Sequence, residues 1–362
     1  DWDLASGRNV LWTAEPPLGG TNSPVVWEKR LYLSGATDTA REVFCFDTET
    51  GALLWRYALQ PMPGTPEKPP KVTEETSFAA PTMAAQGNLA CALFGNGDLV
   101  CLDDAGTLKW GRNLGVPDNH YGHSSSLLAH GGTLIVQYDQ KRNGKLLALD
   151  LADGREVWAA PRTHISWASP ACVETPFGWQ LLLNSSQDVS GYDPLSGKLL
   201  WRLECLDAEV ATSPAYANGT VFAANDMTTA VAIRFEKDGA EPKPAIAWQY
   251  EDLLPDVSSP VGTGRHFFMA TSRGEIVCLD AETGAETWMQ EFDEGFYASP
   301  ILAGDRIYAV DKAGTTIIFK AAGAYELVGA PRLDEETVAT PAFVDGRIYV
   351  RTQSRLVCIA AS

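Results

Sequence analysis

No run of about 18 apolar residues occurs anywhere in this 362-residue chain, so it supplies no bilayer-spanning helix. Cysteines are few. The seven are Cys45, Cys91, Cys101, Cys172, Cys205, Cys278 and Cys358, with no adjacent pair and no Cys-x-x-Cys spacing. Zinc-ribbon and thioredoxin-type chemistry therefore have no support. Basic residues are in the minority, 28 Lys and Arg against 46 Asp and Glu, for a net charge of -18. A surface of that sign repels phosphate backbones and anionic lipid, which excludes nucleic acid and membrane surfaces as expected partners. The usual catalytic signatures are missing too: no Gly-x-Ser-x-Gly elbow, no phosphate-cradling glycine loop with Lys, no His-Glu-x-x-His. The chain opens on Asp1-Trp2-Asp3, without methionine or a signal-peptide pattern. A chain trimmed on export begins this way, and so does a piece cut for expression.

What the chain has is a repeat. A short apolar strand ends in Asp, a Gly turn follows, and Trp comes four residues after the Gly. It reads Asp47–Gly51–Trp55, Asp103–Gly106–Trp110, Asp150–Gly154–Trp158, Asp193–Gly197–Trp201 and Asp280–Gly284–Trp288. Gly admits the left-handed backbone a tight hairpin needs, and Asp caps the turn by accepting from backbone amides. Trp at a fixed offset puts one large ring on one face of the outer strand, where it can wedge against a neighbouring unit. Cys45, Cys101, Cys278 and Cys358 all sit in the apolar strand and read as small buried hydrophobes.

Each unit opens on a small residue, often followed by Pro: Ser23-Pro24, Ala80-Pro81, Ser125-Ser126, Ser169-Pro170, Ser213-Pro214, Ser259-Pro260, Ser299-Pro300 and Thr340-Pro341. The intervals are 40–46 residues, apart from one of 57 that holds a polar, Pro-rich loop from Gln60 to Glu75. Periods of this length with several short strands mark propeller blades. The expected fold is all-β: an eight-bladed β-propeller of four-stranded antiparallel blades, forming one domain over residues 1–362. The fifth unit carries an insertion from Glu236 to Pro244, and the seventh has Leu327 in place of Trp. The last unit stops at Leu356-Val357-Cys358-Ile359, before its outer strand. Ser6 to Trp12 supplies the missing piece, so the N-terminal strand is expected to close the last blade and hide its edge. A closed propeller needs no partner to cover edges, and a monomer is expected.

The Asp-x-x-Thr-Gly-x-x-x-Trp units behind Ser-Pro openers resemble the pyrroloquinoline-quinone-binding-like propeller repeats. That family builds quinoprotein alcohol dehydrogenases and also the propeller lipoprotein of the bacterial outer-membrane barrel-assembly machinery. The dehydrogenases place a disulfide of adjacent cysteines over the quinone and hold Ca²⁺ with Glu and Asn near a catalytic Asp. This sequence has no adjacent cysteine pair, so the resemblance lies closer to the cofactor-free assembly type. It implies a non-catalytic, secreted or periplasmic bacterial scaffold without cofactor that binds a protein partner or a small polar ligand. The alternatives are a quinone-dependent oxidoreductase, or a relic of one, and a carbohydrate-directed propeller.

In a four-stranded meander, the loop leading into strand one and the loop joining strands two and three fall at the same end. Propellers usually bind at that mouth. The candidate ligand-binding residues there are His120, Tyr121, His123, His164, Trp167, Asp226, Arg273, Tyr297 and Lys312. Aromatic faces would stack a planar or sugar-like ligand, and Lys312 or Arg273 would pair with its carboxylate. The competing reading is that Trp and Tyr merely plug the mouth. Metal binding by His120, His123 and His164 has only loop spacing behind it, and no metal site or catalytic residue is assigned.

Overall fold

The computed structural model describes residues 1–73, 75–236 and 242–360. Among these there is no helix. Thirty-two strands form eight four-stranded antiparallel sheets, the blades of a β-propeller. Blades 1 to 7 span residues 25–58, 84–113, 128–162, 171–204, 215–250, 261–291 and 301–329, each a simple meander. Blade 8 takes three strands from residues 342–360 and its outer strand from Val10–Ala14. Trp12 pairs with Cys358 and Thr13 with Val357, so the N-terminal strand closes the last blade.

By its contacts the chain divides into two compact units. One holds Trp2–Thr163 and the segment from Ala339 onward, hence blades 1–3 and 8; the other holds Asp1 and His164–Val338, hence blades 4–7.

Burial follows strand position. The second and third strands of blade 1, Arg30–Ala36 and Arg41–Asp47, are buried at every position but the terminal ones. Both faces of such a strand are covered, so the sequence runs apolar without alternation. The fourth strand, Leu53–Ala58, alternates instead between exposed and half-buried positions, with Trp55 on the half-buried side. Cys45, Cys101, Cys278 and Cys358 are fully buried in third strands.

The Asp turn works as its residues require. Asp47 Oδ1 accepts from the Glu49 and Thr50 amides and from the Thr50 hydroxyl at 2.8–3.0 Å. Asp280 repeats this with Glu282 and Thr283 at 2.8–3.1 Å. The turn Gly then adopts positive φ, 72° at Gly51 and 75° at Gly284. Its missing side chain also makes room for the Trp of the preceding blade. A Cβ on Gly51 would lie 2.5 Å from the Trp12 ring, and one on Gly284 would lie 2.6 Å from the Trp248 ring. Four of these indoles donate by Nε1 to the carbonyl of the residue after the strand-ending Asp: Trp12 to Thr48, Trp55 to Asp104, Trp110 to Leu151 and Trp248 to Ala281, at 2.8–3.0 Å. Trp288 donates to Ala322 O, two residues past a strand that ends in Lys320 instead of Asp, although blade 7 lacks its own Trp and its outer strand is only Leu327–Gly329. Trp201 differs. Its Nε1 donates 2.7 Å to Gln180 Oε1 of its own blade. Part of the insertion expected between Glu236 and Pro244 lies outside the described residues.

The opener residues have a role that spacing alone did not reveal. The Ser169 amide donates to the Ser213 hydroxyl, Ser213 to Ser259 and Ser259 to Ser299, all at 2.9 Å. In the other unit the Ser23 amide donates to Thr82 Oγ1 and the Thr82 amide to Ser126 Oγ. The hydroxyl of blade 2 thus comes from Thr82, just after the Ala80-Pro81 pair taken as its opener. A backbone N–H at the start of an inner strand has no ladder partner, and the hydroxyl of the next blade satisfies it.

Candidate functional site

The lead-in loops and the loops between second and third strands share one end of each sheet, and within blades 4–7 they lock onto one another. The Trp167 amide donates to Val210 O and the Ser186 amide to Ile165 O, at 2.9 and 2.8 Å. Phe296 N donates to Thr271 O, Lys312 N to Gly295 O and Thr337 N to Lys312 O, at 2.9–3.1 Å. Backbone groups that would otherwise face water are paired, which fixes the loops as a surface.

On that surface Asp226 is exposed, beside Met227, which is 66% exposed. Asn225 holds the turn from beneath, its side-chain amide donating to the carbonyls of Asp207 and Glu209 while its own oxygen accepts from Thr228. The surrounding loops partly desolvate the Asp226 carboxyl and raise it above the ordinary carboxylate range. The Asp256 charge adds to this, Arg273 opposes it, and Glu209 raises it further. Arg273 Nη2 donates to Leu254 O at 3.2 Å, and its Nε lies 3.8 Å from Glu275. Asp256 Oδ1 accepts from the Ser272 amide at 3.2 Å, and Val257 beside it is exposed. Asp226, Asp256 and Arg273 therefore share one electrostatic neighbourhood, and the exposed Met227 and Val257 are the chain neighbours of its two carboxylates.

Lys312 and Tyr297 form a second contact at this end, the ammonium lying 5.0 Å from the centre of the phenol ring. Asp311 next to Lys312 is buried. Desolvation raises its carboxyl, against the hydrogen bonds from Thr315. Trp167 is buried at 8% exposure and His164 is half-buried, so the Trp167 ring is built into its loop instead of standing on the surface.

Of the three candidates in the other unit, His120 is exposed, with its ring edge-on to Tyr121 at 4.7 Å. His123 is buried. Its Nε2 lies 2.8 Å from Gly115 O, and its ring packs 5.4 Å from Tyr138. Burial depresses its pKa to about 4. His123 therefore ties the loop of residues 115–123 together.

The same end of blades 1, 3 and 8 holds two buried cations that spacing did not single out as structural. Arg162 grips Asp139 with two hydrogen bonds of 2.6 and 2.9 Å, and Gln137 adds a third to the carboxylate. Arg351 donates to Asn22 Oδ1 at 2.7 Å and Ser34 O at 2.9 Å, and burial lowers its pKa to about 10.

The surface also carries clefts. One, of about 500 Å³, is walled by Pro61, Pro66, Pro69 and Pro70 of the long loop together with Arg41 and Phe78. Another, of about 720 Å³, lies at the opposite end of blades 4–6, between the hairpins of Phe177, Asn218 and Arg265. Loop composition had directed attention to the other end, and nothing in these hairpins' sequence marks a cleft.

Comparison with known proteins fixes the family. The profile described as outer membrane protein assembly factor BamB matches residues 2–167 and 245–362. The chain belongs to that family. Among curated relatives, BamB of Yersinia pestis is 23% identical over 238 residues, covering 62% of this chain and 57% of that protein. BamB of Moranella endobia is 23% identical over 291 residues, covering 77% of this chain and 66% of that protein. The match thus spans under two thirds of the length of either relative. Among solved structures, BamB from Moraxella catarrhalis superposes with a TM-score of 0.72 at 14% identity, over 97% of this chain and 99% of that one. The computationally designed Ika8 protein gives 0.68 at 12% identity, covering 97% and 99%. A quinohemoprotein alcohol dehydrogenase from Pseudomonas putida HK5 gives 0.66 at 11%, covering 97% and 76%. At such identities the structural likeness concerns the fold, which assembly factor, designed protein and dehydrogenase share.

Proposed function

We propose that this chain is a docking propeller of outer-membrane protein assembly, acting on the periplasmic side of that membrane, and that it binds a protein partner through the loops of blades 5 and 6. Family membership supports the assembly role. The observation that carries the surface is the grouping of Asp226, Asp256 and Arg273 on pinned loops, with an exposed apolar residue next to each carboxylate in the chain, Met227 and Val257. Exposed apolar side chains mixed with charged groups on a fixed backbone are what a protein interface uses. The net charge of -18 favours a partner face with basic residues.

The reading involves no resident quinone or metal.

The test is co-purification of the barrel-forming assembly component with tagged wild-type chain, M227E, D226A/R273A and, at the opposite end, R265A. Loss of about tenfold in the first two variants, with R265A unchanged, supports the surface. Wild-type binding without loss in M227E moves the surface elsewhere, and no wild-type binding removes the assembly role.

A second reading has one observation in its favour. Lys312 held 5.0 Å over Tyr297 offers an ammonium and an aromatic face to a small carboxylate-bearing ligand. Calorimetric titration with pyrroloquinoline quinone, with and without Ca²⁺, tests it. Heat that disappears in K312A supports this reading, and no heat at high micromolar quinone ends it.

A further inference from the structure

Four of the seven cysteines recur with the repeat, but Cys91 does not. It stands in the second strand of blade 2, Leu89–Leu93, directly opposite Cys101 in the third strand, Asp98–Asp103. Both side chains are fully buried, and Cys101 is among the groups that push the Cys91 thiol up in pKa, after burial itself. Cys101 Sγ also reaches Leu151 O of the next blade at 3.7 Å.

The register fixes what this pair can do. Phe94 N donates to Asp98 O at the hairpin end. Hydrogen-bonded pairs alternate along an antiparallel ladder, so Ala92–Val100 is hydrogen-bonded and Cys91–Cys101 is not. A non-hydrogen-bonded pair brings its Cα atoms to about 4.5 Å, inside the window of roughly 4.4–6.8 Å that a disulfide requires. Blade 2 therefore needs no rearrangement of strand pairing to accept a cross-strand bond.

We infer that Cys91 and Cys101 are an oxidation site, converted to a disulfide by exchange with a small or protein disulfide donor before blade 2 is packed between its neighbours. The chemistry balances as two successive exchanges. The Cys91 thiolate attacks one sulfur of the donor, whose disulfide breaks, and the first donor thiolate leaves. The Cys101 thiolate then attacks the Cys91 sulfur and expels the second. The donor takes two electrons, and the two cysteine protons end on the two donor thiols. Timing follows from burial. In the folded blade the Cys91 thiol is pushed up in pKa by desolvation and shielded from any donor, so exchange belongs to the open chain. The inference stands independently of the docking surface.

The test is refolding of the reduced, denatured full chain in a buffer of oxidised and reduced glutathione. Remaining thiols are then alkylated in denaturant and the protein is mapped by mass spectrometry. The expected product carries five alkylated cysteines and one linked peptide pair holding Cys91 and Cys101. Seven alkylated cysteines, or linkage through any other pair, would overturn the inference. Oxidised glutathione added to native reduced protein is expected to leave Cys91 and Cys101 unlinked over the same period; rapid linkage of that pair would overturn the timing. The oxidised chain should melt about 3 °C higher than the reduced one, from closure of so short a loop in a protein of this size. C91A should lose that difference while still folding.

Discussion

The indole of Trp55 lies against Gly106 of the following blade, close enough that a Cβ on the glycine would sit 2.8 Å from the ring, while its Nε1 donates 3.0 Å to Asp104 O. One turn therefore serves two needs, a positive φ of 80° and a seat for the ring. Gly106→Ala should cost about 1–2 kcal/mol for the left-handed alanine alone, plus the cost of moving Trp55. Combining Gly106→Ala with Trp55→Ala removes the second part. Urea unfolding of both single variants and the double variant should show the two changes to be less than additive. Additive losses would show that ring and glycine do not press on each other.

Arg162 and Asp139 are 2% and 1% exposed, so neither charge has water to fall back on. Arg162→Met should leave the carboxylate buried without its cation and cost about 3–5 kcal/mol. Adding Asp139→Leu should recover most of that loss, since an apolar pair of similar volume escapes the desolvation cost. Thermal melts of the single and double variants decide the point, and a double variant no better than Arg162→Met would refute it.

His123 predicts a dependence on pH. Its folded pKa of about 4 lies below the ordinary histidine value, so only the unfolded chain takes up its proton on mild acidification. Above about pH 6.5 both states are neutral and the contribution is constant. As pH falls from there towards 4, stability is lost, by about 3 kcal/mol in all. His123→Gln keeps a donor for Gly115 O but does not titrate. Melting temperatures measured from pH 7.5 to 4 should fall less steeply in that variant than in wild type.

The repeat could be read because each of its residues answers a local need: Asp47 caps, Gly51 turns, and Trp12 and Trp55 fill a fixed gap. The closing strand could be read because blade 8 was visibly one strand short. The mouth was harder. His123 and His120 are three residues apart with similar neighbours, yet one is buried and one exposed, because the fold of the 115–123 loop decides between them. Trp167 looked like a stacking surface until its loop was seen bonded to Val210. Nothing in the sequence marks Arg351 and Arg162 as buried, because the acceptors that allow their burial, Asn22 and Asp139, lie 329 and 23 residues away. Met227 could have been noticed as an apolar side chain in a polar turn.

The closure of blade 8 gives the most direct test of the architecture. Val10–Ala14 covers the outer edge of Leu356–Ala360, Trp12 seats on Gly51, and its Nε1 bonds to Thr48 O, which Arg347 also holds at 2.7 Å. Removing residues 1–14 takes away the strand, the ring and its hydrogen bond at once and leaves Leu356–Ala360 paired on one side only, with Arg347–Arg351, as an open edge of apolar residues. Such an edge invites pairing with another chain. The truncated protein should therefore elute as dimers and larger species in size-exclusion chromatography at concentrations where the full chain stays monomeric. Its melting temperature should fall further than that of Trp12→Ala, which loses about 3 kcal/mol of packing and one hydrogen bond but keeps the strand. A synthetic peptide of residues 1–14 should restore both behaviours, because the pairing is antiparallel and needs only the strand itself. If the truncated chain stays monomeric and melts with the full one, the N-terminal strand is an ornament on blade 8 and closure rests on the three C-terminal strands alone.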